Sequence, residues 1–238
     1  MLMTLLLTLT AAGPAAATDL GDGASVRLLA PDVWLYVSER TSDHVASNSL
    51  VVSLPGGPLL VDPPWGEPQT DKVLDWARKT LGRPIAGAIA THSHEDRTGG
   101  VSALRKRGIP TGALQLTVEL ARAAGKSAPD ALFASGAYSD PRGFEVFFPG
   151  AGHAPDTIVA WFPKQRVLFG GCLVKAAEST DLGFVGDADL AHWPAAIEAV
   201  RARYPEAAIV VPGHGEPSTV RALERTLELL KARPKPAP

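Results

Sequence analysis

The chain has 238 residues, 45% of them apolar and 20% charged. That is enough for one domain with a sizeable core, and it excludes a disordered or collagen-like chain. The formal net charge is −2, from 23 basic and 25 acidic residues, so the basic excess favoured by nucleic acid or an anionic membrane is absent. A single cysteine, Cys172, rules out an intrachain disulfide framework.

The chain opens with MLMTLLLTLTAAGPAAA, an apolar run that ends in small residues with Ala15 and Ala17 in an A-x-A arrangement. This predicts a secretory signal peptide over 1–17, cleaved after Ala17, although its n-region has no Lys or Arg. The run is too short to span a bilayer comfortably. The mature product is therefore expected to be soluble, either periplasmic or secreted, with its domain over 18–233 and a frayed tail over 234–238.

Short apolar runs at 25–29, 33–37, 49–54 and 58–62 predict strands, punctuated by Pro31-Asp32 and Pro55-Gly56-Gly57. Apolar residues at 73, 74, 77 and 81 predict a helix over 70–81. A buried strand is expected over 85–90, then helices over 101–107 and 116–124. A second strand group follows at 144–148, 158–162 and 167–170. An amphipathic helix over 189–204, a strand over 208–211 and a last helix over 218–231 complete the chain. The order strands, helices, strands, helices predicts face-to-face sheets with helices outside, in one domain.

The chemistry concentrates in AIATHSHEDRTGG, residues 88–100. His92 and His94 are two apart, so in extended backbone they point the same way. Asp96 follows at an expected turn. Three ligand-type side chains at a strand end suit a metal. His153, Cys172 and His214 repeat the pattern, since each follows an apolar strand and is flanked by glycine.

With these residues the sequence resembles the metallo-β-lactamase superfamily, from the Asp62 region to the last helix. The H-x-H-x-D motif alone marks only the superfamily, which includes thioesterases, nucleases and oxidoreductases. Arg97 stands where the glyoxalase-like pattern has a histidine ligand. Cys172 stands where most members carry a bridging aspartate. Together with GGCLVK and the GDAD at 186–189, these residues resemble the first subclass of zinc β-lactamases.

The resemblance implies an α+β fold, a four-layer αββα sandwich in a single domain. It implies two Zn2+ ions per chain, one held by His92, His94 and His153, the other by Asp96, Cys172 and His214. It further implies hydrolysis of the β-lactam amide by a zinc-bound hydroxide, without a covalent protein intermediate, conferring antibiotic resistance. Asp96 would orient the hydroxide, and Lys175 would pair with the substrate carboxylate. The expected partner is a small-molecule β-lactam acting on a monomer, with no nucleic acid and no membrane.

Several neighbours carry further expectations. Phe184 replaces an asparagine that often hydrogen-bonds the lactam carbonyl, so it bears on substrate range. Trp65 matches a residue bordering the groove, with a core position as the alternative. Asp62 matches a position that braces the metal loop, or is a plain turn or cap residue. Arg97 supports that loop or pairs with a nearby acid. Residues 38–46 (SERTSDHVA) resemble a substrate-covering flap whose tip carries Glu39, Arg40 and Asp43. His44 is expected to be an exposed loop residue and His192 a surface or capping residue. A thioesterase or lactonase on the same scaffold, or a zinc-binding protein without turnover, remains open. A serine enzyme lacks support, since neither G-x-S-x-G nor S-x-x-K occurs.

Overall fold

A computed structural model describes residues 16–233. The segment expected to be a signal peptide therefore lies almost wholly outside the described residues, as does the tail over 234–238. The first half of the chain builds an eight-stranded sheet. It starts with a meander of β1 (Thr18–Asp19), β2 (Ser25–Ala30), β3 (Val33–Val37), β4 (Asn48–Val52) and β5 (Leu59–Val61). Helix α1 (Gly66–Leu81) then crosses to β6 (Gly87–Ile89). Short helices α2 (Glu95–Thr98) and α3 (Val101–Lys106) lead to β7 (Thr111–Leu114), and α4 (Gln115–Ala123) leads to β8 (Asp130–Phe133). Pairing is antiparallel from β1 to β5 and parallel from β5 to β8.

The second sheet has five strands in the order β13-β12-β11-β10-β9. These are β9 (Ala137–Asp140), β10 (Phe144–Phe147), β11 (Val159–Phe162), β12 (Val167–Gly171) and β13 (Ile209–Pro212), with α5 (Trp193–Arg203) and α6 (Arg221–Ala232) outside.

Successive side chains of a strand face opposite ways, and here both faces are buried. Leu59 and Val61 of β5 enter the inter-sheet core, with Leu50, Ile89, Phe162 and Phe169. Leu60 between them faces Val73, Trp76, Ala77 and Leu104 of α1 and α3. In β12, Val167 and Phe169 face the inter-sheet core, while Leu168 faces Trp193, Ile197 and Leu223 of α5 and α6. This alternation gives the four layers, helix, sheet, sheet, helix, expected from the sequence. Truncating Trp76 to alanine would cost about 3–5 kcal/mol as a large-to-small core change.

The differences from the predicted elements have local causes. Helix α1 begins at Gly66 rather than 70, because Pro68 sits in the first turn, where a missing N–H costs nothing. Helix α5 begins at Trp193 rather than 189. Asp189 ends the preceding loop, its Oδ1 accepting from the backbone N–H of Ala191 (3.1 Å) and His192 (3.0 Å). Likewise α6 begins at Arg221, because Ser218 bridges back to Val210. Asp96, expected at a turn, lies in α2. Strands β7, β8 and β9 were not foreseen. Each has four residues with polar or glycine positions, and they form through their sheet partners.

Candidate metal centre

One edge of the sandwich collects the ligand-type residues. His92, Cys172 and His214 follow closely on the ends of β6, β12 and β13, and His153 lies in the loop between β10 and β11. One ligand atom from each of His92, His94 and His153 lies within 4.8 Å of the other two. His92 and His153 are buried, and His94 is half-buried.

The hydrogen bonds of these imidazoles indicate which nitrogens are free. His94 Nε2 lies 2.9 Å from Asp187 Oδ2. A carboxylate accepts, so Nε2–H donates and the Nδ1 lone pair is left for the cluster. His92 Nε2 is buried without a hydrogen-bond partner, as is His153 Nδ1. Burial holds the His92 imidazole well below its ordinary range, and His153 and His94 push the same way against Asp96. Burial and then Lys175 push His153 down to about 2. These two rings are therefore neutral, and at least one buried nitrogen lacks the partner that such groups normally have.

The second group is built differently. His214 Nε2 lies 3.1 Å from Asp96 Oδ2, and Cys172 Sγ lies 3.4 Å from both. His214 Nδ1 donates to the Ala46 carbonyl at 2.8 Å, which directs Nε2 into the group. Arg97 is fully buried behind it. Its Nη2 reaches Asp96 Oδ2 at 2.9 Å, Cys172 Sγ at 3.0 Å and the Gly213 carbonyl at 2.9 Å. Its Nη1 reaches Asp62 Oδ2 at 3.3 Å and the Asn48 carbonyl at 2.8 Å. Burial alone would raise the Asp96 carboxyl, but Arg97, His214 and His92 hold it well below its usual value. Burial opposes the charge on His214, yet Cys172 and Asp96 raise it to about 9. A Cβ on Gly213 would come within 2.7 Å of both Arg97 Nη2 and Cys172 Sγ, so only glycine permits this approach.

Asp62 is tied to Thr91, the residue before His92. It is fully buried, with Oδ1 accepting from the Thr91 backbone N–H at 2.7 Å and Oδ2 from Thr91 Oγ1 at 2.9 Å. Its backbone is left-handed, with φ 61°, a conformation that aspartate tolerates better than most residues. Arg97 pairs with two acids, Asp62 and Asp96.

A cavity of about 820 Å³ opens over the two groups, lined by Trp65, His94, Asp96, Lys175, Phe184 and His214 among others. That is the size of a site for a small organic ligand. Trp65 borders it, rather than lying in the core, and donates Nε1–H to the Val45 carbonyl at 3.0 Å. His44 is not a free loop residue, since its ring stacks on Trp65 at 4.3 Å. Glu39 is not at the flap tip. It is held near the base by Gln69 and Lys72, and the exposed flap residues on the cavity are Arg40 and Val45. Phe184 is 61% exposed and meets His94 edge-on at 5.5 Å. Lys175 places Nζ over the Trp193 ring at 5.4 Å, and burial lowers its pKa. His192 stands before α5, paired with Asp189 at 2.7 Å.

Sequence reasoning missed Asp187 and Asn48. Asp187 lies in the GDAD stretch, but nothing in the sequence says which histidine it meets 93 positions away. Asn48 Nδ2 donates to the Pro212 and Gly215 carbonyls at 2.8 and 2.7 Å, fixing the loop that carries His214.

Comparison with known proteins identifies the family. The metallo-β-lactamase superfamily matches over residues 43–214. A metallo-β-lactamase type 2 from Bacillus cereus is 38% identical over 211 residues, which cover 87% of this chain and 82% of that protein. The chain belongs to the metallo-β-lactamase superfamily. Among solved structures, a metallo-β-lactamase from Pontibacter korlensis has a TM-score of 0.83 at 37% identity, covering 88% of this chain and 100% of that one. The mono-zinc form of a metallo-β-lactamase from Pseudomonas aeruginosa has a TM-score of 0.84 at 34% identity, covering 90% and 98%. For this superfamily member, the family implies zinc, and the His, Asp and Cys groups described above could hold metal.

Proposed function

We propose that this protein is a zinc-dependent hydrolase that opens the β-lactam ring and so confers resistance to β-lactam antibiotics. The observation that carries the reading is the pair of abutting donor groups under one cavity. His92, with its buried unpartnered nitrogen, would hold one zinc together with His94 and His153. Asp96, Cys172 and His214 would hold the second. The donor types fit, since neutral imidazoles leave an open position on a tetrahedral metal, while thiolate, carboxylate and imidazole suit a second zinc. Zinc held by these donors supplies Lewis acidity and lowers the pKa of water toward neutrality.

The chain's own residues do the rest. Lys175, on the cavity wall, pairs with the carboxylate of the substrate. Asp96 offers the carboxylate that orients the attacking water. Asp187 fixes the His94 ring through Nε2, and Asp62 and Arg97 hold the loop from Thr91 to Asp96 in place. Trp65 and Val45 on one side and Phe184 on the other present apolar surface that displaces water from the substrate. Phe184 cannot donate to the lactam carbonyl, so substrate range depends on the remaining contacts. The signal-like segment supports export to the periplasm or the medium. All six donors come from one chain, which supports action as a monomer. Among the described residues no helix is long and apolar enough to cross a membrane.

The test is hydrolysis of a penicillin, a cephalosporin and a carbapenem by the purified mature chain, beside thioesters and lactones. β-Lactam turnover that disappears with chelator and returns with zinc is the expected result. Metal-dependent turnover of thioesters or lactones alone would replace this reading with the other hydrolase.

A further inference from the structure

The cavity carries more positive charge than one substrate carboxylate requires. Three cations line it, Arg40, Lys126 and Lys175, and none has an ion-pair partner within 4.0 Å among the described residues. Most of the lining carboxylates are engaged. Asp96 is bound by Arg97 and His214, Asp187 by His94, and Glu216 by Arg27. Asp181 caps its own turn by accepting from the Gly183 N–H, and its charge acts on Lys175. Glu95, next to His94 in the chain, has no ion pair among the described residues. Asp181 and Glu95 therefore repel a second substrate carboxylate from the Lys175 end and from the metal centre.

Lys126 reaches the cavity from the other half of the sandwich. Lys175 follows β12 of the five-stranded sheet, whereas Lys126 follows α4, which lies on β7 and β8 of the eight-stranded sheet. Its backbone is fixed. Gly125 is left-handed, with φ 67°. The Gly125 N–H donates to Arg122 O at 3.0 Å, and the Lys126 N–H to Ala121 O at 2.9 Å. That pair of bonds is a Schellman motif, which sets the direction in which the chain leaves the helix. An exposed lysine is thus presented to the substrate cavity from a rigid helix end, with no carboxylate of the protein paired to it.

We propose that Lys126 is a specificity-determining residue, selecting β-lactams that carry a second carboxylate on the acylamino side chain. The inference rests on the β-lactamase reading, with Lys175 taking the carboxylate common to all such substrates. Lys126 then recognises the extra one at the far end of the molecule.

The test uses the zinc-loaded enzyme and two penicillins that differ by one carboxylate, benzylpenicillin and its α-carboxy analogue carbenicillin. The quantity read is the ratio of kcat/KM for the dianion to that for the monoanion. In Lys126→Met the ratio falls about 2- to 5-fold, the size of an exposed charge pair, and in Lys126→Glu about 3- to 20-fold. The fall lies mainly in KM, as expected for a contact made equally in ground and transition states. In the wild-type enzyme, added NaCl lowers the ratio toward that of Lys126→Met, because an exposed pair is screened. A ratio unchanged in both variants and insensitive to salt, with benzylpenicillin turned over, overturns the role of Lys126 alone. No turnover of either penicillin by zinc-loaded enzyme overturns the β-lactamase reading, and this inference with it.

Discussion

The three imidazoles and the Asp96–Cys172–His214 group lie side by side, yet they prepare for metal in opposite ways. In the first group, burial has removed the protons. His92 and His153 are held neutral, and each has a buried nitrogen without a partner. In the second group the polar atoms satisfy one another. Asp96, Cys172 and His214 sit within 3.4 Å of each other, with Arg97 donating to them from behind. The first group is costly without metal, because a buried unpaired nitrogen forfeits its water. The second is already an ionic network, so a metal must displace a proton from His214 and compete with Arg97. The difference teaches that donor count alone does not rank two metal sites. What each site must give up also counts.

Mutations can break this comparison from either side. The largest effect is expected at His92. Replacement by alanine removes a donor, so the affinity of the tight zinc should fall by more than the ~100-fold that loss of an outer partner costs, and turnover should fall with it. Because the buried nitrogen has no partner, its removal offsets part of the cavity cost, so the same change should destabilise the metal-free chain less than Arg97→Ala, as read by urea unfolding. Arg97→Ala should do the reverse. It leaves the buried Asp62 without its cation and Asp96 with His214 alone, so the metal-free chain should lose about 3–5 kcal/mol in the same measurement.

The next effect is expected at Cys172. Cys172→Ser removes the soft donor, so zinc content by mass spectrometry under native conditions should drop from two ions to one. Retention of both ions with full activity would sink the assignment of the second site. A smaller effect is expected at Asp187, where Asp187→Asn should weaken the three-histidine site about 10- to 100-fold in a chelator competition, by releasing the orientation of His94.

The layers were legible in the sequence wherever buried strands alternated between two cores, as in residues 59–61 and 167–169. The candidate donors stood out in the sequence through the H-x-H-x-D spacing of His92, His94 and Asp96 and through the glycines beside His153, Cys172 and His214, although Asp96 lies in α2 rather than at a turn. Three kinds of feature were not. Strands β7 to β9 have little pattern of their own and form through pairing. Asp187 and Asn48 act across long sequence separations, where spacing carries no signal. The stacking of His44 on Trp65 joins the flap to a loop 21 positions away, which only the fold brings together.

The most direct test of the contrast is a calorimetric zinc titration of the metal-free chain at pH 7, in buffers of different ionisation enthalpy, so that released protons are counted for each ion bound. His214 lies at about 9 in the metal-free chain. Its proton must leave before Nε2 can bind, so the affinity of the second ion should rise with pH up to that value and level off above it. Two steps are expected, a tighter first equivalent releasing few protons and a weaker second equivalent releasing at least one. Two equivalents of equal affinity, or a first equivalent that releases more protons than the second, would contradict that contrast.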